Sequence, residues 1–135
     1  MDGLEQRTRD RIKGNGFMVY NHMELETVEP DYAVFRMEIR PESKNVYGMV
    51  HGGAIYTLAD NATGSAAHTD GRNYVTQNGN LHFLRNQGEG MIRAVARVRH
   101  RGRSTVLVLV DVVGEDSTLL ATGEFSFFCI DHKLA

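Results

Sequence analysis

The chain has little that would staple, span or unfold it. It carries one cysteine in 135 residues, so no internal disulfide can form. That residue, Cys129, lies within Phe125-Ser126-Phe127-Phe128-Cys129-Ile130 and reads as a small buried hydrophobe. There are only two prolines and no low-complexity tract, which argues against disorder. The longest apolar stretch, Val106 to Val110, is far too short to cross a bilayer. The opening Met1-Asp2-Gly3-Leu4-Glu5-Gln6-Arg7 lacks the apolar centre of a signal peptide. The expectation is a cytoplasmic protein with no membrane partner.

Several familiar catalytic signatures are also missing. No G-x-S-x-G and no phosphate-binding loop is present, which argues against a serine hydrolase or a nucleotidase. His22, His68, His82, His100 and His132 fall in no metal-ligand spacing and have no second cysteine to join them, so no metal is expected. The formal charge of -2 speaks against a polyanion as partner. One stretch runs against that balance: Arg93, Arg97, Arg99, Arg101 and Arg103, with His100 and no acid between them. No aromatic residue interleaves these arginines, so nucleic acid is a poor partner for them. They read either as outward charges that guard an edge strand from aggregation, or as a phosphate contact. On the second reading Arg101 and Arg103, at a strand turn, present guanidinium forks to the phosphates of a substrate.

What is present is an ordinary globular composition, 41% hydrophobic and 24% charged. It suffices for one domain with a real core. That domain spans residues 1–135, with 1–16 as an N-terminal helical extension. Residues 4–13 are polar and helix-permissive, and Gly14 and Gly16 end them. Phe17 to Thr27 reads as a strand. Ala33, Phe35, Met37 and Ile39 alternate with polar neighbours, as in a strand with one buried face. A helix over about Gly53–His68 places Ile55, Leu58, Ala59, Ala62 and Ala66 at helical spacing. Strands follow at roughly Tyr74–Leu84, Met91–His100, Thr105–Val113 and Leu119–Ile130, with short Gly-rich turns between. Such an order gives an α+β domain: a mostly antiparallel sheet curled around one long apolar helix.

The run Asn45-Val46-Tyr47-Gly48-Met49-Val50-His51-Gly52-Gly53 leads into that helix, and Asp60 follows within it. A helix start bare of side chains exposes free N–H groups, which suit a developing oxyanion. A carboxylate on an otherwise apolar helix is seldom there for packing. Gly52 is therefore the candidate oxyanion donor and Asp60 the candidate base or nucleophile. At about 1.5 Å per residue, Asp60 lies roughly 11 Å from its own helix start, so the pair must meet across a symmetric dimer with two shared sites.

This signature, N-x-x-G-x-x-H-G-G-x-x-x-x-x-x-D, resembles that of the PaaI-like acyl-CoA thioesterases, whose fold is the hot-dog fold. Leu58-Ala59-Asp60, Asn80-Leu81-His82-Phe83-Leu84, Arg101-Gly102-Arg103 and Ala121-Thr122-Gly123 fit the same pattern, over roughly residues 17–130. The resemblance implies an acyl-CoA substrate, no cofactor beyond the coenzyme A of that substrate, and a homodimer, in some relatives a dimer of dimers. It also implies that Asn45 helps bind the thioester or the water, that Gly53 contacts substrate, and that the Thr76 hydroxyl orients the acid. His51 reads as structural, holding the Asn45 loop, in preference to acid–base work. Where many relatives have Pro-Ala after the central strand this chain has Arg85-Asn86-Gln87, at a position that borders the active-site mouth. Two other classes stay open on the residues alone. One is a non-catalytic acyl-CoA-binding module; the other is a hot-dog hydratase or dehydratase that uses Asp60 with His51.

Overall fold

A computed structural model describes residues 3–131; Met1, Asp2 and the tail from His132 onward lie outside the described residues. Two short helices open the chain, α1 (Gly3–Ile12) and α2 (Gly16–Tyr20). Strands β1 (Glu24–Glu29) and β2 (Tyr32–Glu38) follow, then the long helix α3 (Gly52–Ala67). Strands β3 (Tyr74–Phe83), β4 (Met91–Arg101), β5 (Thr105–Val113) and β6 (Leu119–Cys129) complete the fold. The six strands form one antiparallel sheet in the order β1-β2-β4-β5-β6-β3. The sheet curls around α3: this is the hot-dog fold. No helix among the described residues is long and apolar enough to cross a membrane.

Small residues explain how a helix can lie so close to a sheet. Ala59, Ala62, Ala66 and Ala67 are fully buried on α3, with Ile55 and Leu58 beside them. They meet Phe35 and Met37 of β2, Ile92, Ala94 and Ala96 of β4, and the alternating Val106, Val108, Val110 and Val112 of β5. Residues with two-residue period on strands and 3.6-residue period on the helix thus point at one core.

The strand expected from Phe17 begins seven residues later. Asn15 caps α2 by accepting from the Met18 N–H at 3.1 Å, and a cap of this kind overrides the β-preference of Phe, Val and Tyr over one turn. His22, at φ 60°, then reverses the chain into β1.

The arginine stripe also departs from expectation. β4 lies between β2 and β5 and is not an edge. Arg93 pairs with Glu26 at 2.8 Å, and Arg97 stacks on Tyr32 at 4.5 Å. A bulge between Val98 and His100 inserts one residue and turns Arg101 to the opposite face, opposite the inward Val106. There the Arg101 guanidinium pairs with Asp31 and Asp70, each at 2.8 Å. It also donates to the Ala66 and Ala67 carbonyls, at 3.2 and 3.0 Å. It closes the negative end of α3, where a cation is favoured, so its role is structural and the phosphate contact expected of it is not supported. Burial pushes Asp70 up, but hydrogen bonds from Tyr74 and Arg72 and the Arg101 charge outweigh it and hold the carboxyl below its ordinary value. Arg101→Met should therefore destabilise the fold by about 2 kcal/mol through the unpaired carbonyls and carboxylates it leaves, read from the urea unfolding midpoint. A variant as stable as wild type would show that the network is idle.

Candidate active site

The turn into α3 is built by its own short-range hydrogen bonds. The Asn45 carboxamide oxygen accepts from the N–H of Tyr47 at 2.9 Å and of Met49 at 3.1 Å. Gly48, at φ +79°, supplies the left-handed step that this tight loop requires. The Val50 N–H donates to the Gln87 carbonyl at 2.9 Å, and the His51 N–H to the Ser43 carbonyl at 2.7 Å. Asn45 thus has its oxygen engaged in shaping the loop, leaving only its amide nitrogen for a substrate.

The first N–H groups of α3 are not equivalent. The Gly53 N–H donates to the His51 ring Nδ1 at 2.8 Å, so His51 is the helix N-cap and its remaining ring proton sits on Nε2. The Ala54 and Ile55 N–H groups donate to the His51 carbonyl at 2.9 and 3.1 Å. Gly52 alone of these four donors has no acceptor among the described residues. Gly53 therefore serves by admitting the imidazole: a Cβ there would stand 3.0 Å from Nδ1. Its expected contact with substrate has no free amide to make it. The Phe83 ring lies 3.6 Å from where a Gly52 Cβ would project, so an aromatic wall flanks the free amide.

Asp60 lies on the same helix, about 12 Å along the axis from Gly52 at 1.5 Å per residue. Its Oδ1 accepts from the Thr76 hydroxyl at 2.7 Å. Thr76 is aimed there from β3, next to a register shift between Thr76 and Asn78. Burial raises the Asp60 pKa above the ordinary carboxylate value and the Thr76 hydrogen bond opposes that rise. The pair opens on a cleft of about 230 Å³ between α1, α3 and β3, walled on its apolar side by Ile12, Met18, Phe35 and Phe127. Arg101 and Arg103 do not line it; the Arg103 carbonyl accepts from Arg72 at 2.6 Å at the far end of α3.

Within one chain, then, Asn45, His51, Gly52 and Gly53 come together, and so do Asp60 and Thr76, but the two groups stay apart. β3, which carries Thr76, is an open sheet edge. Val75, Phe83 and Leu84 are exposed along or just beyond it, as are Val46 and Tyr47 in the Asn45 loop.

A thioesterase superfamily profile matches residues 47–121, more than half of the chain and the span from the Gly52 turn through Asp60 and Thr76. The chain belongs to the thioesterase superfamily. It is 27% identical over 100 residues to the acyl-coenzyme A thioesterase PaaI of Escherichia coli, covering 73% of this chain and 71% of that one. Among solved structures it is similar to a mutant form of the phenylacetic acid degradation protein PaaI of Thermus thermophilus, with TM-score 0.79 and 30% identity over 83% of this chain and 96% of that one. The fold likeness is higher to the Escherichia coli PaaI structure, at TM-score 0.90 and 23% identity over 94% and 93% of the two chains. This member of the superfamily is a thioester hydrolase.

Two contributors escaped the sequence reading. Gln87 braces the catalytic turn: its Nε2 donates to the Glu89 carbonyl at 2.7 Å and its Oε1 accepts from the Glu115 N–H at 3.0 Å, while its carbonyl holds Val50. The departure at Arg85-Asn86-Gln87 thus acts on the turn as well as bordering it. Tyr56 packs its ring on Phe125 at 5.0 Å and directs its hydroxyl over Gly79, where any side chain would overlap it. Glycine in the middle of a strand was the available signal for that close approach.

On the reading of Asp60 as base or nucleophile, which requires it ionised, its raised pKa puts the acid limb of the pH profile above the ordinary carboxylate range, with activity rising as pH increases through it. Thr76→Val removes the bond that opposes the rise and should move that limb to still higher pH. An unmoved limb would show that Thr76 does not act on Asp60.

Proposed function

We propose that the protein is an acyl-CoA thioesterase that works as a symmetric dimer, with each site shared between subunits. The free Gly52 amide carries this reading, because it is the one helix-start donor left for a substrate oxygen. It donates to the thioester carbonyl oxygen, and the α3 dipole strengthens the bond as negative charge develops there. Asp60 of the partner subunit takes a proton from water as the water oxygen attacks the carbonyl carbon; if Asp60 attacks that carbon itself, loss of the thiolate leaves an acyl-aspartyl anhydride, which water then hydrolyses to the free acid while supplying the proton of the thiol. The tetrahedral adduct collapses, the C–S bond breaks, and the sulfur leaves with the proton as free coenzyme A. The other product is the free acid. Side chains, one backbone amide and water are the only reactants this scheme uses.

The exposed β3 edge supports the shared site. Its unpaired backbone groups form a template for another strand, and a two-fold axis across it would bring the two halves of each site together. Arg103, exposed at the β4–β5 turn, is a candidate contact for the coenzyme A phosphates.

Thiol release from aromatic and straight-chain acyl-CoAs tests the reaction. Asp60→Asn should lower kcat by about 10²–10⁴. Gly52→Pro deletes only the N–H, because proline is well accepted at the first helical position, and should cost about 10²–10³. Mixing the two inactive variants tests the sharing. Half of the dimers formed are mixed and hold one intact site of two, so about a quarter of wild-type activity should return. No recovery after verified subunit exchange would overturn the sharing of each site between subunits.

A further inference from the structure

At the end of the Asp60 cleft furthest from the thioester stands an unmatched pair of donors. Arg11, from the last turn of α1, lines this cleft and donates to the Ser65 hydroxyl at 2.7 Å. Ser65 is only 2% exposed. Accepting from Arg11 leaves the hydroxyl proton of Ser65 to be donated, and no acceptor for it exists among the described residues. Nor does any carboxylate among them pair with Arg11. Arg11 is an exposed residue, yet its guanidinium is sufficiently enclosed for desolvation to lower its pKa.

The neighbouring polar groups are already matched to one another. The Asn15 amide donates to the Asn61 carbonyl oxygen at 3.3 Å, and the Asn61 amide donates to the Met23 sulfur at 3.2 Å. The His68 Nδ1 bonds the Gly64 carbonyl at 2.7 Å and its Nε2 accepts from the Tyr74 N–H at 3.3 Å. Both ring nitrogens are thereby occupied and burial keeps the ring neutral. The cleft thus holds one anion, Asp60, and one cation, Arg11. Asp60 is governed by burial and by Thr76, so Arg11 is not there as its counter-ion.

We propose that Arg11 and Ser65 bind the distal carboxylate of an acyl group, so that the substrates are acyl-CoAs whose acyl chain ends in a carboxylate. This rests on the thioesterase reading above. Ser65 lies five residues beyond Asp60 on α3, about 7.5 Å along the helix axis, a separation that suits a short dicarboxylic chain such as glutaryl or adipyl. The apolar wall of Ile12, Met18 and Phe127 receives the methylenes between the two ends. A terminal carboxylate accepts from the guanidinium fork and from the Ser65 hydroxyl together, an arrangement favourable to a planar anion.

Adipyl-CoA and hexanoyl-CoA share a carbon count and differ at the terminus, so their kcat/KM ratio reads the site. The wild-type ratio should favour adipyl-CoA by about tenfold or more, the effect of a charge-assisted hydrogen bond. Arg11→Met should bring the ratio near one, and Arg11→Lys should retain part of it. Ser65→Ala, which leaves α1 and its charge in place, should lower the ratio on its own and guards against a misfolded Arg11→Met. A wild-type ratio at or below one, or a ratio untouched by these variants, overturns the proposal while leaving the thioesterase reading intact. If wild type releases no thiol from either substrate or from the aromatic and straight-chain acyl-CoAs above, the acyl-CoA thioesterase reading fails, and calorimetric binding of adipyl-CoA and hexanoyl-CoA to wild type and Arg11→Met decides this one. Equal affinities for both would overturn it.

Discussion

A helix wrapped by a sheet must satisfy both of its ends inside a small volume, and the two ends of α3 are handled in opposite ways. At the C-terminal end, Arg101 covers the last carbonyls and is itself neutralised by Asp31 and Asp70. At the N-terminal end His51 satisfies three of the first four N–H groups, one through its ring and two through its carbonyl, and leaves the Gly52 amide open. Closing the negative end and leaving one donor free at the positive end concentrates the helix field on a single N–H. The proposed mechanism depends on that asymmetry.

Neighbouring groups keep that donor fixed. The Asn45 loop, the Gln87 brace and the Ser43 carbonyl hold the turn from three directions, and Phe83 closes one side. None of these groups is needed to touch the reacting carbon. They fix the amide in advance, so that, on the proposed mechanism, little reorganisation is left for the transition state.

The curled sheet brings a second constraint. Because α3 lies straight inside it, Gly52 and Asp60 are held about 12 Å apart and no side-chain motion closes the gap. The fold leaves the strand that carries Thr76 at an open edge. The same edge that would be an aggregation hazard in a monomer is where a second copy can complete the site. The N-terminal helix adds the other boundary: by laying Arg11 on Ser65 it turns a surface groove on α3 into a cleft with a polar far end.

Much of this was legible in the chain. The two-residue alternation of β2 and β5, the alanine-rich periodicity of α3 and the Gly-rich turns fix the elements, because each depends on neighbours a few residues away. The same holds for the Asn45-to-Asp60 signature, whose loop and cap are made within its own length. The short α2 was missed because one capping bond at Asn15 outweighs the strand preference of the residues after it. What only the tertiary structure decided involves distant partners. A single bulged residue in β4 turned Arg101 from the outward face expected of the arginine stripe onto the end of α3, which no alternation pattern reveals. Arg11 met Ser65 across 54 positions of sequence. The sequence by itself determined most of the elements, the candidate site residues and the distance that separates them, since these follow from local periodicity and helix rise. The fold decided which of those groups are already satisfied and which remain free, because that depends on what packing brings beside them.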